Sequence, residues 1–192
     1  MENSIDEKTA KPKIDVKKEI ISWIKTLLFA FLFAFIITQF IIVNASIPSG
    51  SMETTIMTND RIVAFRLSYL FNEPERFDIV VFENPDYKLI DSNDKNKHYV
   101  KRIIGIGGDV ITISEGQVYV NGEPITEPYI REPMYPVADM EFVVPADHYF
   151  MMGDNRNYSN DSRGWINKYV EKKKILGKVV WRYYPFSEIK TY

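Results

Sequence analysis

The sequence predicts a mainly β protein: one apolar N-terminal helix of membrane-spanning length, then an antiparallel, partly closed β domain with a small insertion. Three observations predict it. No charged side chain occurs from residue 26 to residue 52. Beyond that stretch, short runs of β-branched and aromatic residues recur between turn residues. No amphipathic stretch of helical length separates those runs, so parallel βαβ units are not expected.

Residues 1–19 are polar and lysine-rich and read as a disordered tail. Residues 20–43 read as the helix. The segment LLFAFLFAFIITQFIIV over 27–43 is apolar on every face, which an amphipathic surface helix is not. The span is roughly 36 Å long at ~1.5 Å per residue, enough for a hydrocarbon core of ~30 Å. Trp23 suits the interfacial belt, and Lys25 can extend its amine to the headgroups. Lys8, Lys11, Lys13, Lys17, Lys18 and Lys25 precede or open the span, and the next basic residue is Arg61. The bias of basic residues then puts the N-terminus in the cytoplasm and residues 44–192 outside a single-pass cell-membrane anchor, in contact with the lipid bilayer. Val43-Asn44-Ala45 resembles a signal-peptide cleavage site, but the apolar run exceeds the ~7–15 residues of a cleavable core.

In the remainder, strands are expected at 61–67, 78–82, 99–105, 110–113, 117–120, 141–144, 149–152 and 178–184. Ser114-Glu115-Gly116 and Asn121-Gly122 mark tight turns. Residues 123–145 hold five prolines and read as a loose, variable insertion. The run Glu171-Lys172-Lys173-Lys174 reads as a solvated turn.

Composition excludes several chemistries. Hydrophobic residues at 45% and charged residues at 26% fit a folded chain. A net charge of −2 gives no basic field for nucleic acid. The absence of cysteine removes disulfides, thiolate nucleophiles and cysteine-held metal sites. Two histidines, His98 and His148, are too few for a multi-histidine metal site.

Three segments carry the chemistry that remains. In Ile47-Pro48-Ser49-Gly50-Ser51-Met52 the proline and glycine force an irregular turn that presents Ser51. Ser51 lies eight residues beyond Val43, so it acts within about 29 Å of the span's end even if the chain is fully extended. In Tyr99-Val100-Lys101-Arg102-Ile103-Ile104 a lysine interrupts an apolar strand. Alternation groups Lys101 with Tyr99 and Ile103 and sends Arg102 to the other face. Only the lysine can act as a base, because a guanidinium does not deprotonate in proteins. The third segment, 152–165, is dense in carboxylates, arginines and hydroxyls, and mutual pairing of Asp154, Asp161, Arg156 and Arg163 would stiffen it.

Together, PSGSM, RFDIVVF, YVKRIIGIGGD and the run from Gly153-Asp154-Asn155-Arg156 through Ser159, Asp161, Ser162, Arg163, Gly164 and Trp165 stand in the order seen in type I signal peptidases. The chain resembles that family in its bacterial, Gram-positive-like form, over the anchor and nearly all of 44–192. The resemblance implies a mostly β membrane-bound serine–lysine endopeptidase that cuts signal peptides from exported preproteins, preferring small residues before the cut. It implies Ser51 as nucleophile and Lys101 as general base. Ser49 and the Ser51 N–H would form the oxyanion hole, Ser159 would orient the amine, and Asp161 with Arg163 would support the site. No metal or organic cofactor is implied. Thr54, Asn157 and Ile166 depart from residues common in the family at those places. Two rival readings are a serine hydrolase using His98 or His148, and a non-enzymatic anchored β-module.

Overall fold

The computed structural model describes residues 15–87, 89 and 98–192. It divides into two units, 1–38 and 39–192.

The first unit is helical. Helix α1 (Val16–Ile36) starts at Asp15, whose side chain accepts from the Lys18 N–H, and no residue of the helix is buried. Thr26 and Thr38 donate their hydroxyls to carbonyls one turn back, Ser22 and Ala34, at 3.0 Å each. That satisfies two polar groups inside an apolar surface without a partner chain. By length and composition, 16–41 can cross a membrane. The expected bounds of 20–43 shift at both ends. The helix begins at Val16, a π-helical turn occupies Ile37–Ile41, and Ile42 and Val43 belong to a strand instead. Their β-branched side chains join a ladder, pairing with Phe65 and Ala64, and that pairing prevails over continued helix.

The second unit is antiparallel β throughout its pairings. Its strands are β1 (Ile42–Ser46), β2 (Arg61–Phe65), β3 (Ile79–Glu83), β4 (His98–Gly105), β5 (Val110–Ser114) and β6 (Gln117–Val120). They continue as β7 (Glu123–Pro124), β8 (Met140–Val143), β9 (His148–Met152), β10 (Val170–Glu171), β11 (Ile175–Tyr184) and β12 (Lys190–Thr191). The larger sheet runs β1-β2-β11-β3-β4-β9-β10 with β12 on β11, and the smaller runs β7-β6-β5-β8. All eight expected strands are present. Of the four unexpected ones, β1 was hidden in the apolar run, and β7, β10 and β12 are too short to show a period. The two expected turns carry positive φ at Glu115, Gly116, Asn121 and Gly122.

Three apolar clusters position the site. Ile47, Met52, Ile56, Ile62, Ala64, Ile79, Val81 and Val179 pack beneath the turn that holds Ser51. Val80, Phe82, Ile103, Tyr149, Met151 and Trp165 fill the space around β3, β4 and β9. A third cluster joins the smaller sheet to Ile104, Phe150 and Met152. The insertion 123–145 is less loose than its prolines suggest. Met134 is buried in the third cluster and Tyr129 packs against it.

Candidate active site

The turn at 47–56 is anchored from below. Met52 and Ile56 are fully buried, while Ser51, immediately before Met52, keeps a small opening to solvent. The Glu53 N–H bonds the Gly50 carbonyl at 3.1 Å and the Ile56 N–H bonds the Met52 carbonyl at 2.9 Å. The two apolar neighbours fix the turn, and the hydroxyl faces a groove of about 530 Å³. Ala45, Ile47, Ser49, Val81, Val100 and Tyr158 are among its walls.

Lys101 enters the same groove from β4, opposite Val80 of β3. Its Nζ donates to Ser51 Oγ at 2.6 Å. The side chain is 4% exposed and its amine stands 5.6 Å from the centre of the Tyr99 ring. Burial, opposed in part by the charges of Asp161 and Asp154, brings its pKa down from 10.5 to about 8. Ser49 Oγ lies 3.4 Å from Ser51 Oγ.

The loop after β9 closes the far side. Gly153 has no room for a side chain: a Cβ there would stand 2.4 Å from the Ser51 carbonyl oxygen and 2.3 Å from Ser159 Oγ. Asp161 is buried and accepts from the Gly153 N–H at 3.0 Å and from Arg163 Nε and Nη2 at 2.8 Å each. Burial alone would raise its pKa; the Arg163 hydrogen bonds and charge, with the Gly153 N–H, hold it below the ordinary carboxylate value. Arg163 also ties to the Arg156 carbonyl at 2.7 Å. Ser159 Oγ is buried beside the Asp161 carboxylate, whose pKa its hydroxyl helps to lower, and it does not hydrogen-bond Lys101.

Of the four groups expected to pair with one another, only Asp161 and Arg163 do so. Asp154 instead receives two hydrogen bonds from Arg102, at 2.8 and 2.6 Å, and one from Thr55 at 2.5 Å. Arg156 bonds both carboxylate oxygens of Glu127 and the Gly153 carbonyl. Tyr129 lies under the Arg102 guanidinium at 3.8 Å. The insertion therefore supplies two partners, Glu127 and Tyr129, to arginines that brace the site. Sequence reasoning missed them because nothing local links position 127 to position 156.

Neither histidine hydrogen-bonds Ser51, whose side-chain partners are Lys101 and Ser49. His98 is part of the groove wall, whereas His148 lies at a separate cavity beside Arg66 and Tyr69. Among the described residues, no three His, Asp or Glu side chains converge on a point where a cation would sit.

The family described as signal peptidase, peptidase S26 matches residues 20–184. A probable signal peptidase I-2 of Synechocystis sp. is 38% identical over 98% of this chain and 84% of its own. A signal peptidase I of Bacillus amyloliquefaciens is 33% identical over 95% of this chain and 98% of its own. The crystal structure of a signal peptidase I from Enterococcus faecalis V583 superposes with a TM-score of 0.44 at 27% identity, covering 56% of this chain and 97% of that one.

Proposed function

Because the chain belongs to the signal peptidase (peptidase S26) family, we propose that Ser51 is its nucleophile and Lys101 its general base. The protein is a serine endopeptidase that removes signal peptides from preproteins. The observation that carries the dyad is the buried 2.6 Å contact between Lys101 Nζ and Ser51 Oγ.

The chemistry runs as follows. Neutral Lys101 takes the Ser51 proton as Oγ attacks the scissile carbonyl carbon. The carbonyl's π pair becomes an oxyanion, which the Ser51 N–H and the Ser49 hydroxyl hold. Collapse breaks the C–N bond, and the departing amine takes the proton from Lys101. A water, deprotonated by the same amine, then hydrolyses the ester. A lysine with a pKa of about 8 is neutral roughly one-tenth of the time at pH 7, at a cost near 1.4 kcal/mol, against almost 5 for an ordinary lysine.

Asp161 and Arg163 support this arrangement by fixing Gly153, which backs onto the Ser51 carbonyl. The substrate enters as an extended strand along the groove and presents small side chains before the cut. Its walls come from the β1 segment on one side and β4 on the other, and β9 pairs with β4 only from Arg102 onward. The apolar helix spans the cell membrane with its N-terminus in the cytoplasm, which concentrates enzyme and membrane-bound substrate in one plane.

The test is cleavage of a preprotein by the detergent-solubilised chain and by Ser51→Ala. We expect processing by the first alone. Processing by Ser51→Ala would remove Ser51 from the mechanism.

A further inference from the structure

We infer that Asn155 is a positioning residue: it aims the Ser51 N–H into the groove by gripping the carbonyl at the other end of the same peptide group. The inference rests on reading that N–H as an oxyanion donor.

A trans peptide is planar, so the Gly50 C=O and the Ser51 N–H point in opposite directions along one rigid unit. Fixing the carbonyl fixes the N–H. Asn155 Nδ2 donates to the Gly50 oxygen at 2.9 Å, and the Asn155 backbone N–H donates to the Ser51 oxygen at 3.1 Å. One residue thus holds two consecutive carbonyls on the same side of the turn. The Glu53 N–H adds a second bond to the Gly50 oxygen. Among the described residues, nothing accepts from the Ser51 N–H, which leaves it available to a ligand in the groove.

The hold is rigid because both neighbours of Asn155 are fixed. Asp154 is bonded by Arg102 and Arg156 by Glu127, and Asn155 itself is 3% exposed. Among the described residues, its buried Oδ1 has no partner. Leaving an acceptor in that state is unfavourable. The amide is retained for its donor end. A shorter hydroxyl would not reach the Gly50 oxygen, and an isosteric carboxylate has no hydrogen to give.

The experiment compares the full chain with Asn155→Ala, Asn155→Asp and Ser51→Ala in detergent. Three quantities are read: steady-state cleavage of a preprotein, affinity for a peptide aldehyde, and affinity for the matching product peptide made as its C-terminal alcohol, which presents no oxyanion. The aldehyde adds to Ser51: the Oγ–C bond forms, the carbonyl becomes an oxyanion and the proton goes to Lys101. Its affinity therefore reports the donor that product binding does not use. Asn155→Ala should lower kcat by about 10²-fold, the size seen when one oxyanion donor is removed. KM, product affinity and the pH midpoint of the rate should stay put. Aldehyde affinity should fall with kcat. Asn155→Asp, which keeps the shape, should show the same loss at about pH 9.5, where Lys101 is mostly neutral. Unchanged kcat and aldehyde affinity in both variants, with Ser51→Ala inactive, would overturn the inference while sparing the dyad. Product affinity falling in parallel would overturn it in favour of a structural role. Cleavage by Ser51→Ala would bring down the dyad itself.

Discussion

On one face of β4, Lys101 is buried with a hydroxyl as its hydrogen-bond partner; on the other, Arg102 is buried with a carboxylate. The two cations are adjacent in sequence and almost equally hidden, at 4% and 8% exposure. Strand alternation sends one into the groove and the other into a separate cavity beside Tyr129 and Tyr192. Their surroundings differ in what they do to charge. Arg102 forms two hydrogen bonds with Asp154, stacks on Tyr129 and donates to the Phe77 carbonyl at 2.8 Å, so its charge is matched. Among the described residues, Lys101 has no direct carboxylate contact, and burial makes its proton easy to lose. One strand therefore supplies a fixed brace and a removable proton by choosing which side of the pleat receives the counter-charge.

The sharpest way to break this contrast is to exchange the chemistry on the groove face. Lys101→Arg keeps a cation of similar length but cannot release its proton. It should lose preprotein cleavage by at least about 10³-fold, as much as Lys101→Ala, because loss of a base that acts as a unit with its nucleophile removes nearly all of the chemistry. Cleavage assayed across pH 6–10 checks this. Appreciable activity in either variant would require a different base for Ser51.

On the opposite face the expected loss is in stability. Arg102→Met leaves the Asp154 carboxylate buried with Thr55 and without its cation. Breaking a buried pair from one side costs about 3–5 kcal/mol. Adding Asp154→Leu should recover much of that, since replacing both partners leaves no stranded charge. Urea unfolding in detergent, followed by tryptophan fluorescence, gives the double-mutant cycle. A double variant no more stable than Arg102→Met would show that the loop needs the carboxylate for its other contacts.

These faces were unequally legible in the sequence. A lysine inside an apolar strand is visible to alternation alone, as is the turn forced by Pro48 and Gly50. The strands were legible because β-branched runs between turn residues leave few alternatives. The braces were not. Arg102–Asp154 joins residues 52 positions apart and Arg156–Glu127 joins residues 29 apart. Short-range pairing within 154–163 looked equally reasonable on charge count. The start of β1 was hidden for a different reason. Ile42 and Val43 are as apolar as the helix before them, and only the ladder with Phe65 and Ala64 distinguishes their conformation.

The groove face also makes a stability prediction of opposite sign. Folding takes the Lys101 pKa from 10.5 to about 8. Between those values the unfolded chain holds a proton that the folded chain has released, so this group's contribution rises with pH across that window. Below about 8 both states are protonated and the full penalty of burying the charge applies, about 3 kcal/mol. Lys101→Met keeps the volume and drops the charge. It should be more stable than the parent by about that amount at pH 7, and the advantage should fade as pH rises from 8 to 10.5. A constant advantage at every pH would mean that the gain came from packing.

The smallest expected effect tests whether it is burial, and not pairing as such, that makes the Arg102 brace strong. Arg131 and Glu53 also form an ion pair between the insertion and the nucleophile turn, at 3.3 Å, but the Arg131 side chain is 48% exposed. Water already solvates that guanidinium, and salt screens its attraction to the carboxylate. The Arg131 backbone N–H is held by the Asp154 carbonyl whatever the side chain does. Arg131→Ala should therefore cost less than about 1 kcal/mol, shrink further in high salt and leave kcat within about a factor of two. A loss near that of Arg102→Met, insensitive to salt, would show that the insertion and the nucleophile turn depend on this contact despite its exposure.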